Sequence, residues 1–206
     1  MPPTRNTHRW FSMIEIMLVL VIVSILLIIA MPAFNKLVLG SNVDGGARLV
    51  LSQIRLARQY AITNRVRVAV LLPAKGFSSD AGVPVDVAKR YKASSVRSCI
   101  VDSSKTFVEY VAKTQWAFLP QSVYIDDITN ADAVNGVKFP ELTSPYSTSG
   151  VRSIIFLPSG SVEGGSDVGP LEIEEMILSG SSLQTKDAGS NKVSVTINWL
   201  TGRVIE

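Results

Sequence analysis

Residues able to carry chemistry are sparse in this chain of 206 residues. The one histidine is His8 and the one cysteine is Cys99. A Ser-His-Asp or Cys-His nucleophile needs an imidazole beside the attacking group, and His8 stands in a basic N-terminal stretch ahead of a long apolar run. A single thiol excludes an internal disulfide framework and a Cys-rich zinc site, so Cys99 reads as buried packing. Carboxylates remain. Asp126 and Asp127 are adjacent and point apart on an extended chain. Glu172 and Glu174 alternate along a predicted strand and are expected to share its exposed face. Neither pair reads as an acid–base dyad. The Gly164–Asp167 segment offers too few oxygens for calcium and reads as a turn. No glycine-rich phosphate loop precedes a helix. The expectation is no catalytic site, no metal and no cofactor.

Two other groups of charges stand out. The first is Glu15, at the edge of the apolar run that continues from Ile16 to Ala33 with Ser24 as its one polar side chain. About 20 helical residues at roughly 1.5 Å each span the ~30 Å hydrocarbon core. The run is longer than the core of a cleaved secretory signal, and Ala30-Met31-Pro32-Ala33 is a poor exit from one. A transmembrane anchor is predicted. Arg5, His8 and Arg9 precede it and only Lys36 follows closely, which predicts a cytoplasmic N-terminus and an outer C-terminal part. A carboxylate at such a place costs up to about 2–3 kcal/mol. Glu15 either snorkels to the headgroups or meets a positive group on another chain.

The second group is arginine-rich. Between Asp44 and Asp80 there is no acidic residue, yet Arg48, Arg55, Arg58, Arg65 and Arg67 fall in that interval. A helix is predicted over 35–64, with Leu49, Val50, Ile54, Leu56, Ala57, Tyr60 and Ala61 on one arc. Leu51 and Ile62 are exceptions to it, and Arg48, Arg55, Arg58 and Arg65 lie opposite. Gly40 and Gly45-Gly46 mark an expected soft stretch. The arginines read as a solvated face, as partners of acids in the globular part, or as a patch for an anionic partner. The net charge of +3 makes no bulk case for nucleic acid.

From Arg65 the period changes to two. Strands are predicted at Val66–Leu72, Thr106–Lys113, Trp116–Leu119, Val123–Ile125, Arg152–Leu157, Leu171–Leu178 and Lys192–Leu200, separated by Gly and Pro turns. Lys75–Ser98 reads as a loop with a helical turn near Val85–Lys92, and Asn130–Ser149 as irregular. One long helix before a run of strands predicts an α+β fold, the helix packed on antiparallel sheets.

The stretch Phe11-Ser12-Met13-Ile14-Glu15, behind a basic leader and ahead of the apolar run and Pro32, resembles the N-terminal signal of type IV pilins and type II secretion pseudopilins. The resemblance covers about residues 5–34. Weaker likenesses to H-type minor pseudopilins and related minor pilins lie at 47–72, at Ile155–Gly160 and at Val195–Val204 with Thr201-Gly202-Arg203. The resemblance implies a pilin-like fold. It implies a prepilin peptidase that cuts Trp10–Phe11 and methylates the new amine, Glu15 pairing with that amine on a neighbouring subunit, and Pro32 kinking the helix. In the family the residue before the cut is nearly always glycine, and in this chain it is Trp10. Trp10 also reads as an interfacial aromatic anchor.

The organisation expected is a cytoplasmic leader at 1–10, a transmembrane helix at 11–34, an amphipathic helix at 35–64 and a β-rich periplasmic domain at 65–206. The expected protein is a non-enzymatic minor subunit of a pseudopilus or pilus, anchored once in the bacterial inner membrane. Its expected partners are other pilin or pseudopilin subunits and the prepilin peptidase. Two alternatives stay open: a minor pilin that binds DNA through the arginines, and a membrane-anchored periplasmic binding module that does not assemble.

Overall fold

The computed structural model describes residues 12–75, 77, 89–139, 151–179, 182–185 and 191–205. One helix, α1 (Met13–Asn64, 52 residues), precedes a set of antiparallel strands. Two compact units divide the chain, one ending at Val38 and one beginning at Leu39.

In the first unit, Met13–Met31 has a mean hydropathy of 3.1 and is not buried by any of the described residues. By length and composition it is apolar enough to cross a membrane. Ser12 stands where an N-cap stands, and its carbonyl oxygen accepts the Glu15 and Ile16 N–H groups at 3.0 and 3.2 Å. The helix continues through Pro32 although that residue brings no N–H to the ladder.

The expected soft stretch at the glycines is absent: α1 is unbroken through Gly40 and Gly45-Gly46. Packing supplies the reason. A Cβ on Gly46 would stand 2.9 Å from Leu119 Cδ2 and from Val123 Cγ1, so the missing side chain lets the helix approach the strand layer. A helical glycine costs about 1 kcal/mol in propensity, which at Gly46 this close contact offsets.

In the second unit, α1 buries Val43, Ala47, Val50, Leu51, Ile54, Ala57 and Ala61, an i, i+3/i+4 face. This corrects two expectations: Leu51 is inside, while Leu56 is 39% exposed on the far side. Arg65 follows Asn64 with φ of +54°, a left-handed residue that ends the helix where glycine is usual.

The first sheet runs β3-β2-β1-β7-β6, from β1 (Val68–Leu71), β2 (Ser95–Val101), β3 (Phe107–Tyr110), β6 (Asp132–Val134) and β7 (Val151–Phe156). A short β4 (Ala117–Phe118) pairs with β2. The second sheet runs β11-β10-β8-β5, from β5 (Val123–Ile128), β8 (Val168–Ser179), β10 (Lys192–Ile197) and β11 (Val204–Ile205). There β9 (Ser182–Thr185) pairs with β8. All these ladders are antiparallel.

The helix face, Val68 and Val70 of β1, Ile154 and Phe156 of β7, and the inner residues of β5, β8 and β10 form one core. Alternate residues of the first sheet, Ala69, Leu71, Cys99 and Ile155, form a second core on its other face with Tyr91 and Phe139. Hence β1 is buried on both sides and reads as a continuous apolar run.

Several strand expectations change. Ser95–Ser98, read as loop, begin β2, a strand between β1 and β3. Ser95 and Ser98 are fully buried there, and the Ser95 hydroxyl donates to Tyr91 O at 2.8 Å. The region read as irregular contains β6; its residues 140–149 lie outside the described residues. The last predicted strand stops at Ile197, because Asn198 turns the chain: its Oδ1 accepts the Thr201 N–H and its N–H donates to Arg203 O. Of the turn expected near Val85–Lys92, residues 89–91 are helical and the earlier ones lie outside the described residues.

Candidate functional site

Two surfaces gather the residues that the sequence singles out. The first is the apolar half of α1. Its large side chains from Met13 to Met31 are each at least 44% exposed. Glu15 lies in the first turn, the acidic residue of the helix start, where the macrodipole favours a negative charge. It is exposed on this surface. Trp10 and Phe11, the predicted processing bond, and His8 lie outside the described residues.

The second surface is on the outer unit, where the predicted arginine patch divides. Arg67 is taken by Glu163, at 3.1 Å, with the two side chains 32% and 21% exposed. Arg58 sits on the flank of the buried helix face, which corrects its expected place opposite that face. Its Nε donates to Thr201 O at 2.9 Å and to Gly160 O at 3.2 Å, tying α1 to the turns after β7 and β10. Arg48, Arg55 and Arg65 are exposed.

Arg55 and Arg58 come together with Arg203, which sequence reasoning did not assign to the patch. These three and Gln59, Ile62 and Val204 line an open groove of about 490 Å³ between the last turns of α1 and the β10–β11 hairpin. No acidic residue lines it. The hairpin approaches closely because residue 202 is glycine: φ there is +61°, and a Cβ would collide with the Gly160 carbonyl oxygen. Arg203 was hidden in the sequence because its neighbours in the groove are about 140 positions away, as the Arg58–Thr201 bond shows.

The remaining chemical groups are engaged in structure. Cys99 is fully buried at the centre of the first sheet, paired with Ala69 and Tyr110. Burial pushes its thiol pKa up to about 12, against the attraction of Arg97. The Arg97 guanidinium lies 3.4 Å from the Tyr110 ring centroid and donates to Thr114 O at 2.7 Å. Asp126 pairs with Lys75 at 3.1 Å. Glu172 and Glu174 do not share an exposed face as expected: Glu174 is 5% exposed, while Glu172 is half-buried and accepts from Lys192 Nζ at 2.6 Å. That hydrogen bond raises the Lys192 pKa. Strand β8 lies inside its sheet, between β5 and β10, and Lys192 and Tyr124 stand opposite Glu174 on those two neighbours.

Gly164–Asp167 is an exposed turn with φ of +110° and +72° at its two glycines. Asp167 Oδ1 accepts the Trp199 N–H at 2.8 Å, so this carboxylate holds two loops together. Among the described residues no group of three or more His, Cys, Asp or Glu side chains is placed to hold a metal ion. No family model, curated protein or solved structure matches this chain.

Proposed function

We propose that this chain is a non-enzymatic structural subunit of a filament of the pseudopilus or type IV pilus kind, held in the inner membrane by the first half of α1 and assembled through that half. One observation carries the reading. The residues from Met13 to Met31 are left bare by the described residues, whereas the same helix from Val43 onward is a core element of a folded unit. Such a helix has two uses for its bare half: lipid, or the equivalent helices of neighbours. Exchange between them costs little, because hydrocarbon and an apolar helix surface are similar solvents. A head-to-tail contact that does not close gives a filament.

Glu15 supports assembly over plain anchoring. A carboxylate in an apolar helix is a cost to an anchor and gains value only from a positive neighbour, whose attraction grows in a low dielectric. The resemblance at Phe11–Glu15 supplies such a neighbour, the methylated amine of a processed subunit. Mass spectrometry of the mature N-terminus, in cells that carry the assembly machinery, tests this. The expected result is a chain beginning at Phe11, faster to appear in Trp10→Gly. Site-directed crosslinking between subunits is expected to fall in Glu15→Leu while membrane retention persists. An uncut N-terminus together with unchanged crosslinking would refute assembly and favour the non-assembling anchored module.

A further inference from the structure

We infer that the groove between the end of α1 and the β10–β11 hairpin is a docking site for an extended acidic segment of a partner protein. The inference stands on the outer unit alone and holds whether or not the chain assembles into a filament. Three guanidinium groups, of Arg55, Arg58 and Arg203, border a groove of about 490 Å³ that has no acidic lining residue. That volume lies within the roughly 300–1,000 Å³ of small-ligand clefts and admits a short stretch of polypeptide.

Elsewhere on this unit, cations that meet the fold's own carboxylates are already paired: Arg67 with Glu163, Lys75 with Asp126, Lys105 with Asp132, Lys192 with Glu172. The three groove arginines have no such carboxylate among the described residues. Arg58 is also pre-positioned. Its Nε is spent on two carbonyl oxygens, which holds the guanidinium still and leaves its Nη groups for an incoming acceptor. A head already ordered loses less entropy when it binds a carboxylate.

The other walls decide the class of ligand. Ile62, 41% exposed, and Val204 give the groove an apolar component that suits a side chain and not a bare anion. Strand β11 is the last strand of its sheet, so a segment lying beside it in extended form meets backbone groups that no described strand pairs. No aromatic side chain lines the groove to stack a base. An extended peptide that alternates acidic and apolar residues matches all of these features, its carboxylates toward the arginines and its apolar side chains toward Ile62 and Val204.

The test is fluorescence anisotropy on the full-length protein in zwitterionic detergent micelles, with protein-free micelles subtracted. The probe is a labelled peptide alternating Glu and Val; the comparators are the same peptide with Lys for Glu and a labelled single-stranded oligonucleotide. Saturable binding of the Glu peptide is expected, weaker by about tenfold or more for the Lys peptide and in R55Q/R203Q. Both arginines are exposed, and circular dichroism checks that the double variant keeps its fold. R48Q removes an exposed arginine of the same helix outside the groove and is expected to bind as the parent does. Equal binding by R55Q/R203Q, an equal loss in R48Q, or tighter binding of the oligonucleotide than of the Glu peptide each overturns the assignment.

Discussion

Gly202→Ala adds one methyl group at the point where the β10–β11 hairpin meets α1 and the turn after β7. Two effects oppose it. The backbone at φ of +61° disfavours a Cβ by about 1–2 kcal/mol. The added carbon would also collide with the Gly160 carbonyl oxygen and come within 3.0–3.1 Å of Arg58 Nε and Cδ. The Gly160 oxygen is backbone and cannot swing away, so the hairpin must move. The movement disturbs the Arg58 bonds to Gly160 O and Thr201 O. Hydrogen bonds to a charged group contribute about 1.5–3 kcal/mol, less at a half-buried site.

The matched control is Gly165→Ala, where φ is +72° and nothing lies within 4 Å of the new Cβ. Its cost is the backbone strain alone. The stiffening of the unfolded chain, about 0.4–1 kcal/mol in favour of alanine, is common to both and cancels in the difference. Gly202→Ala should therefore destabilise the outer unit by about 1–3 kcal/mol more than Gly165→Ala. Urea unfolding of the full-length protein in micelles, followed by tryptophan fluorescence, measures both. In the Arg58→Ala background the excess should shrink, because the bonds that Gly202 protects are gone. If the two glycine variants agree within about 0.5 kcal/mol, the contact between hairpin and helix is not what the geometry implies.

Three further outcomes are expected. Cys99, whose thiol pKa is raised to about 12, should resist maleimide in the folded protein at pH 8 and react on unfolding. The stability it lends by staying neutral is whole below pH 9, the ordinary thiol value, and is lost progressively as pH rises from there toward 12, which alkaline unfolding of Cys99→Ala against the parent would reveal. A double-mutant cycle on Arg67→Ala and Glu163→Ala should return a coupling of about 0.5–1 kcal/mol that weakens in high salt, since both side chains remain partly open to water. A reporter fused after Glu206 should be active only outside the cytoplasm; activity inside, with Met13–Met31 intact, contradicts the predicted orientation.

The sequence by itself determined the features that depend on near neighbours along the chain. An apolar run from Ile16 onward, broken by Ser24 alone, is long and apolar enough as a helix to cross a membrane. The change of period after Arg65 announced strands, and a helix followed by strands announced the mixed fold with antiparallel sheets. Tertiary structure decided what depends on distant neighbours. Ser95–Ser98 looks polar, yet it is a central strand because β1 and β3 flank it. Glu174 alternates like an exposed residue, yet it is 5% exposed in the folded chain. Gly46 looks like a helix breaker, yet Leu119 and Val123 require its missing Cβ. The arginines form a run in sequence, but Glu163 removes Arg67 from the set and the hairpin adds Arg203. Charge in a local window shows how many cations there are. Which of them remain without a carboxylate depends on contacts about a hundred positions apart, such as Arg58 with Gly160 and Arg67 with Glu163, and only the folded chain makes them.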